Sequence, residues 1–214
     1  MGLRLGDTAP DFTCETTKGR LSLHAYKDNS WCILFSHPED FTPVCTTELG
    51  AVARLQSQFD ARNVKVIGLS CSSLSDHEAW IADINETQNC TVQFPIIADP
   101  TREIATLYDM LDHQDVTNID AHGMPLTVRA VFILDPANKV RLTLTYPASC
   151  GRNFAEILRV VDSLMLTDAR KVATPADWVV GQDVIVHNSV QGSEAEKLFP
   201  GFRTVKPYLR YTSI

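Results

Sequence analysis

Apolar and polar positions follow two different periods along the chain, and the switches between them mark out its elements. Short alternating runs at Pro10–Cys14 and Leu21–His24 flank the turn-forming Thr17-Lys18-Gly19-Arg20, which predicts an N-terminal hairpin. Trp31-Cys32-Ile33-Leu34-Phe35 is wholly apolar, as a buried strand is. From Thr46 to Arg62 the period turns helical, with Leu49, Val52, Ala53, Leu55 and Phe59 mostly on one face. Val64 to Cys71 is again apolar and rich in β-formers. Ser75-Asp76-His77-Glu78, a capping pattern, opens a helix expected to reach about Glu86. Phe94 to Ala98 reads as a strand stopped by Asp99-Pro100, and Thr101 to Met110 as a short helix. Val128–Leu134 and Val140–Tyr146 are two strands around the turn-rich Asp135-Pro136-Ala137-Asn138-Lys139. Asn153 to Leu166 is a helix, with Phe154, Ile157, Leu158, Val161, Leu164 and Met165 at helical spacing.

Strands alternating with helices, then a hairpin and a closing helix, predict a three-layer α/β core. The order is similar to a thioredoxin-like fold carrying an N-terminal hairpin extension. After Leu166 the texture changes. Pro175, Gly181, Gly192, Pro200, Gly201 and Pro207 punctuate the chain around one β-rich run, Asp183–His187. The expected organisation is a core domain over 1–168 and a small C-terminal arm over 169–214, with too little core to fold alone. An arm of that kind gains burial on a second subunit.

The 214 residues, 44% hydrophobic and 21% charged, suffice for a full globular core. A net charge of −7 with no basic stretch argues against nucleic acid and anionic membrane as partners. No apolar run is long enough to span a bilayer, so stable membrane insertion is not expected. Met1–Gly6 lacks a signal-peptide core and has Gly6 where a myristoylation signal wants Ser or Thr. Asp7, Asp11 and a single early Arg4 do not suit mitochondrial import, which leaves the cytoplasm as the expected compartment. Cysteines at 14, 32, 45, 71, 90 and 150 form no Cys-x-x-Cys pair and no zinc spacing with histidine. Reduced thiols are expected, and no metal, flavin, haem or nucleotide site is visible.

One stretch concentrates the chemistry: Ser36-His37-Pro38-Glu39-Asp40-Phe41-Thr42-Pro43-Val44-Cys45-Thr46-Thr47-Glu48-Leu49-Gly50. It joins a buried strand to an amphipathic helix, so Cys45 falls near the helix's first turn. Unpaired N–H groups and the positive end of the helix dipole there favour a thiolate. Thr42 can place its hydroxyl on the same side, and Pro38 brings no donor and stiffens the loop.

Pro38, Thr42 and Cys45 stand as Pro-x-x-x-Thr-x-x-Cys, which resembles the peroxidatic site of a peroxiredoxin. Phe35–Pro38 through Thr46–Leu49, with His before the motif proline, resembles the one-cysteine branch, the peroxiredoxin six type. Met124–Arg129 with Phe132–Leu134, Tyr146–Ala148, Gly151–Arg159, Val172–Trp178 and Lys206–Tyr211 extend the resemblance over essentially the whole chain. It implies that Cys45 is the peroxidatic nucleophile, that Thr42 and Arg129 bind the peroxide and favour the ionised thiol, and that Pro38 shields it. His37 is placed beside the thiol, as a base or a structural donor. Glu48 orients Arg129, and Arg152 completes the polar network.

The implied reaction is reduction of hydrogen peroxide and of organic hydroperoxides, lipid ones included, through a sulfenic acid on Cys45. No cysteine follows Cys150, so a C-terminal resolving cysteine is missing and an external thiol is implied. In this branch that is glutathione, delivered by a glutathione transferase, and the protein is a homodimer serving redox homeostasis. Cys150, Cys90, Cys71 and Cys14 remain alternative internal resolvers, with Cys150 the foremost. Some members of the branch also hydrolyse phospholipids through a serine in Gly-x-Ser-x-Gly with a His and an Asp. Ser30 and His24 stand at matching places, but the flanks read Asp28-Asn29-Ser30-Trp31-Cys32 and Ala137 holds the aspartate's position, two residues past Asp135. A nucleophile elbow needs small flanks, so lipase activity is not expected.

Overall fold

The computed structural model describes residues 2–214 and divides into two compact units, one ending at Phe154 and one spanning Ala155–Ile214. In the first unit β1 (Thr13–Cys14) and β2 (Leu21–Ser22) pair antiparallel as the expected hairpin, and a short α1 (Leu23–Lys27) follows. Then come β3 (Trp31–Ser36), α2 (Pro43–Arg54), α3 (Gln56–Asp60), β4 (Val64–Ser70), α4 (Leu74–Gln88), β5 (Ile96–Ala98), α5 (Glu103–Leu107), β6 (Arg129–Leu134) and β7 (Val140–Tyr146). The sheet order is β5-β4-β3-β6-β7. β3, β4 and β5 are parallel, and β6 and β7 run antiparallel to their neighbours. This is the thioredoxin-like α/β core the pattern predicts.

β3 lies at the centre of the sheet and all six of its residues are buried, which is why its sequence is apolar rather than alternating. On one face Cys32, Leu34, Ile67, Leu69, Phe132 and Leu134 join a single apolar cluster. On the other, Phe35 meets Phe94 and Phe154 edge-on, each with ring centroids 5.8 Å apart. Gly50 of α2 faces α4 so closely that an added Cβ would stand 2.4 Å from the Gln88 side chain.

Two helix boundaries differ from the sequence reading. The helix expected from Thr46 to Arg62 starts at Pro43 and breaks at Leu55 into α2 and α3. Phe41, in the left-handed region at φ 55°, turns the chain, and Pro43 at the first helical position costs no hydrogen bond. α4 opens at Leu74, because Ser73 rather than Ser75 caps it. Ser73 Oγ accepts from Asp76 N, and the Asp76 side chain accepts in return from the Ser73 backbone.

The second unit carries α6 (Phe154–Ala169), β8 (Val172–Ala173), β9 (Val184–Val186), α7 (Gly192–Leu198), β10 (Arg203–Lys206) and β11 (Leu209–Thr212). The strands form an antiparallel sheet in the order β10-β11-β9-β8. Val172, Trp178, Val184, Val186, Val190, Ala195 and Phe199 make a buried cluster beneath it. Only β9 was readable from hydrophobicity, since β10 is exposed at every residue. The change of texture near 168–172 marks the end of α6, whereas the compact units divide at its start. Among the described residues, no helix is long and apolar enough to cross a membrane.

Candidate active site

The site begins where β3 ends. Ser36 Oγ donates to the Val128 carbonyl (2.6 Å) and accepts from Ala130 N (3.0 Å), fastening the end of β3 to β6. The loop then runs through Pro38 to Phe41, reverses, and enters α2 through an extended Thr42. Cys45 becomes the third residue of α2, fully buried, with the helix's free N–H groups around it. Beside it lies a cavity of about 260 Å³ whose lining includes Pro38, Glu39, Thr42, Val44, Arg129 and Ala148.

Arg129 opens β6 and reaches across to the thiol. Its Nη1 donates to Cys45 Sγ at 3.3 Å and to Glu48 Oε2 at 2.8 Å, while Nε and Nη2 both donate to the Ala148 carbonyl. Glu48, one turn after Cys45 on α2, also accepts from Arg152 through three nitrogens. Arg152 Nη1 is held by the Ala130 carbonyl at 2.8 Å. Burial pushes the Glu48 carboxyl up, but the bonds and charge of Arg152, with Arg129 behind them, bring it below its ordinary value. Two buried guanidinium groups thus share one carboxylate. The surplus positive charge faces Sγ, and an anionic sulfur neutralises it.

Thr42 lies in the cavity wall, but its hydroxyl donates to the Glu39 carbonyl (2.8 Å) rather than to the thiol. That leaves its lone pairs free to accept from an O–H group in the cavity. His37 departs from expectation. Its Nε2 pairs with Asp40 Oδ1 at 2.7 Å, its Nδ1 has no partner, and neither nitrogen is bonded to Cys45. The ring packs instead against Trp80, with centroids 5.3 Å apart, because Asp40 and His77 draw it toward α4.

Asp40, His77 and Trp80 were not singled out from sequence. His77, Trp80 and Ile84 are the buried residues of α4, so a histidine at apolar-face spacing was the available signal. The His37, Asp40 and His77 donor atoms lie within 4.8 Å of one another, close enough to surround an ion. Asp40 instead bridges the two imidazoles and His77 Nε2 bonds the Ile97 carbonyl at 3.0 Å, so the three facing groups are spent on one another and on the backbone, and only His37 Nδ1 is left without a partner.

The other cysteines differ in kind. Burial pushes the thiols of Cys14, Cys32 and Cys71 up to about 12, and raises Cys90 as well. Cys150 is exposed, in the turn between β7 and Arg152. Ser30, buried, bonds Asn63 Oδ1 at 2.9 Å, and His24 Nε2 bonds the Ala9 carbonyl at 2.9 Å. Asp135 Oδ1 accepts from the backbone of Ala137 and Lys139. These three form no triad.

Residues 5–143 match the AhpC/TSA family, and residues 163–199 match the C-terminal domain of 1-Cys peroxiredoxin. The chain is 50% identical over 211 residues to the mitochondrial peroxiredoxin PRX1 of Saccharomyces cerevisiae, covering 98% of this chain and 80% of that one. It is 52% identical to peroxiredoxin-6 of Homo sapiens over 222 residues, covering 99% and 97%. Among solved structures, a cysteine-to-serine mutant of the peroxiredoxin 6 of Arenicola marina superposes with a TM-score of 0.95 at 47% identity, over 99% and 98% of the chains. A yeast mitochondrial 1-Cys peroxiredoxin, solved for its thiol-resolving mechanism via glutathione and thioredoxin systems, gives 0.91 at 49% identity, over 99% and 100%.

Proposed function

The chain belongs to the AhpC/TSA family as a one-cysteine peroxiredoxin, a thiol-dependent peroxidase, and we propose that Cys45 is its peroxidatic nucleophile. The observation that carries this is the contact of Arg129 Nη1 with Cys45 Sγ at 3.3 Å, inside a cluster with one surplus positive charge. The Cys45 thiolate attacks a peroxide oxygen. A new S–O bond forms as the O–O bond breaks, and the departing oxygen takes a proton and leaves as water or an alcohol. Arg129 donates to the peroxide oxygens and Thr42 accepts from the hydroperoxide hydrogen, which aligns the O–O bond with Sγ. Pro38 keeps water off the sulfur, Glu48 and Arg152 fix the Arg129 fork, and His37 acts from its packed position behind the loop.

An external thiol then condenses with the sulfenic acid to a mixed disulfide and water, and a second thiol releases Cys45. Glutathione is the reductant we propose, with a glutathione transferase as its carrier; the yeast relative's glutathione and thioredoxin systems support a small-thiol or dithiol donor. The raised thiols of Cys14, Cys71 and Cys90 speak against internal resolution by them, which leaves Cys150 as the internal alternative. A homodimer is supported by exposed Val179, Val180, Val205, Tyr208 and Ile214 on the second unit. The cytoplasm is the compartment we propose, and fractionation of cells decides it. Lipase chemistry is disfavoured by the separate partners of Ser30 and His24.

Single-turnover reduction of hydrogen peroxide, followed by Trp fluorescence and intact mass, tests the assignment with wild type, Cys45→Ser and Cys150→Ser. Loss of the fast phase in Cys45→Ser alone, with one oxygen gained by wild type, is the expected result. Loss of two hydrogens by wild type, with a sulfenic acid trapped in Cys150→Ser, would make Cys150 a resolver, and a fast phase surviving in Cys45→Ser would overturn the proposal.

A further inference from the structure

His37 is fully buried, and one face of its imidazole chemistry is left open: Nδ1 meets no donor or acceptor. A buried polar atom without a partner costs free energy, so its persistence calls for a reason. The rest of the ring is tightly specified. Nε2 is 2.7 Å from Asp40 Oδ1, the backbone carbonyl accepts from Thr127 Oγ1 at 2.7 Å, and the ring lies on Trp80. Trp80 Nε1 in turn donates to Thr46 Oγ1 at 3.2 Å, next to Cys45 in the chain.

The proton count follows from which partners can only accept. The Ile97 carbonyl accepts, so His77 Nε2 carries a hydrogen. The contact of His77 Nδ1 with Asp40 Oδ2 then needs a proton of its own, which the two residues hold between them. Asp40 is further braced by Ser72 Oγ on its backbone N–H (3.2 Å) and by Ser70 Oγ on Oδ1 (3.4 Å). With Ser70 and the imidazoles supplying donors, Asp40 is an acceptor at both oxygens, and its carboxyl is held well below the usual range by the two histidines against the upward push of burial. His37 must therefore donate from Nε2 and keep Nδ1 bare. The charged groups facing this ring are Asp40 from its own loop, His77 from α4 and Arg152 from the turn before α6.

We propose that Asp40 and His77 are positioning residues of the peroxidase reaction, which lock His37 in its Nε2–H tautomer and so keep a bare Nδ1 acceptor behind the active-site loop. The proposal rests on the peroxidase reading above. The reaction of a thiol with a hydroperoxide to give a sulfenic acid and an alcohol is neutral overall, but its one proton changes place. It leaves Sγ before attack and ends on the departing oxygen once the O–O bond has broken. A bare imidazole nitrogen can accept a hydrogen bond from that proton on its way without itself becoming charged, and a ring of the opposite tautomer cannot.

Histidine ¹⁵N NMR on the full chain reads tautomers directly and does not depend on activity. The expected result for reduced wild type at neutral pH is a proton on Nε2 and none on Nδ1 of His37, assigned by loss of its signals in His37→Phe. Stopped-flow reduction of hydrogen peroxide completes the test. Asp40→Asn is expected to mix the His37 tautomers and slow the reaction at least tenfold. His77→Asn, whose amide can stand in for the Nδ1 donor, is expected to keep the rate within about threefold, while His77→Leu loses it with Asp40→Asn. A proton found on His37 Nδ1 in wild type overturns the inference even if every variant fails to fold. So does an Asp40→Asn enzyme with altered tautomers and an unchanged rate. Either result leaves the role of Cys45 standing, since that is read independently from Cys45→Ser.

Discussion

Arg152 grips Glu48 from three directions: its backbone N and Nε donate to Oε1 at 2.7 and 2.9 Å, and Nη2 donates to Oε2 at 2.7 Å. The grip fixes the plane of the carboxylate and points Oε2 at Arg129. Glu48→Gln keeps the shape but leaves two buried guanidinium groups sharing an amide that accepts through only one atom. Breaking a buried charge cluster in this way costs about 3–5 kcal/mol. A denaturant midpoint should fall accordingly, and the peroxide rate should fall with it because the Arg129 fork is no longer held. An unchanged midpoint would show that Arg152 alone organises the site.

Arg129 makes four contacts from one planar head, to Sγ, Glu48 and twice to the Ala148 carbonyl. A lysine keeps the charge and loses the fork. Arg129→Lys should therefore slow reaction with hydrogen peroxide by about 10²–10³-fold, the size seen when one preorganised donor is removed. The thermal midpoint should move far less than in Glu48→Gln, since the lysine still offsets the carboxylate.

Thr42 separates a hydroxyl effect from a helix-cap effect. Its Oγ1 makes no cap bond within α2 and is spent as a donor on the Glu39 carbonyl. Thr42→Ser should retain most of the rate. Thr42→Val, nearly equal in shape, should lose at least tenfold in the peroxide step with little change in stability. Equal rates in both would mean that the hydroxyl does not meet the substrate.

The succession of strands and helices and the place of Cys45 in a first helical turn were legible because each rests on local pattern. An all-buried β3 must be apolar throughout, and a proline-bounded loop into a helix places Cys45 in the first turn. Arg129 and Arg152 were readable only through family resemblance, because nothing in the spacing of residues 45, 129 and 152 says that one carboxylate will gather them. The His37–Asp40–His77 cluster joins positions up to forty residues apart, and a polar residue on the buried face of α4 was its one trace. The four-stranded sheet of the second unit escaped because β10 is exposed at every position, so its strand character comes from pairing with β11 and not from burial.

Ser30 offers a test of the discounted lipase chemistry. Its Oγ bonds Asn63 Oδ1, which ties the start of β3 to the residue before β4. Ser30→Ala should cost about 1 kcal/mol from that lost bond and leave peroxide reduction intact. Neither wild type nor variant should release fatty acid from phospholipid vesicles above the uncatalysed rate. Release by wild type that vanishes in Ser30→Ala would restore the hydrolase reading.

Acid should unfold the protein in two stages, and the first isolates His37. Burial holds the His37 imidazole below its ordinary value of 6.5, outweighing the opposing pull of Asp40. The unfolded chain therefore binds a proton here that the native state refuses, and stability falls as pH drops below 6.5, by at most about 1.4 kcal/mol per pH unit. Glu48 and Asp40 are also depressed in the native state, from 4.5 and 3.8, so their contributions are complete above those values and drain away only below them. Asp99 acts in the opposite sense, since burial raises it, and it offsets part of the second stage. Denaturant titrations across pH should show a shallow decline below 6.5 and a steep one below about 4.5. His37→Phe should flatten the shallow stage by the contribution of one histidine and leave the steep one in place. If the variant and wild type fall in parallel between 6.5 and 4.5, the buried ring is not held neutral, and the bare Nδ1 inferred for it does not exist.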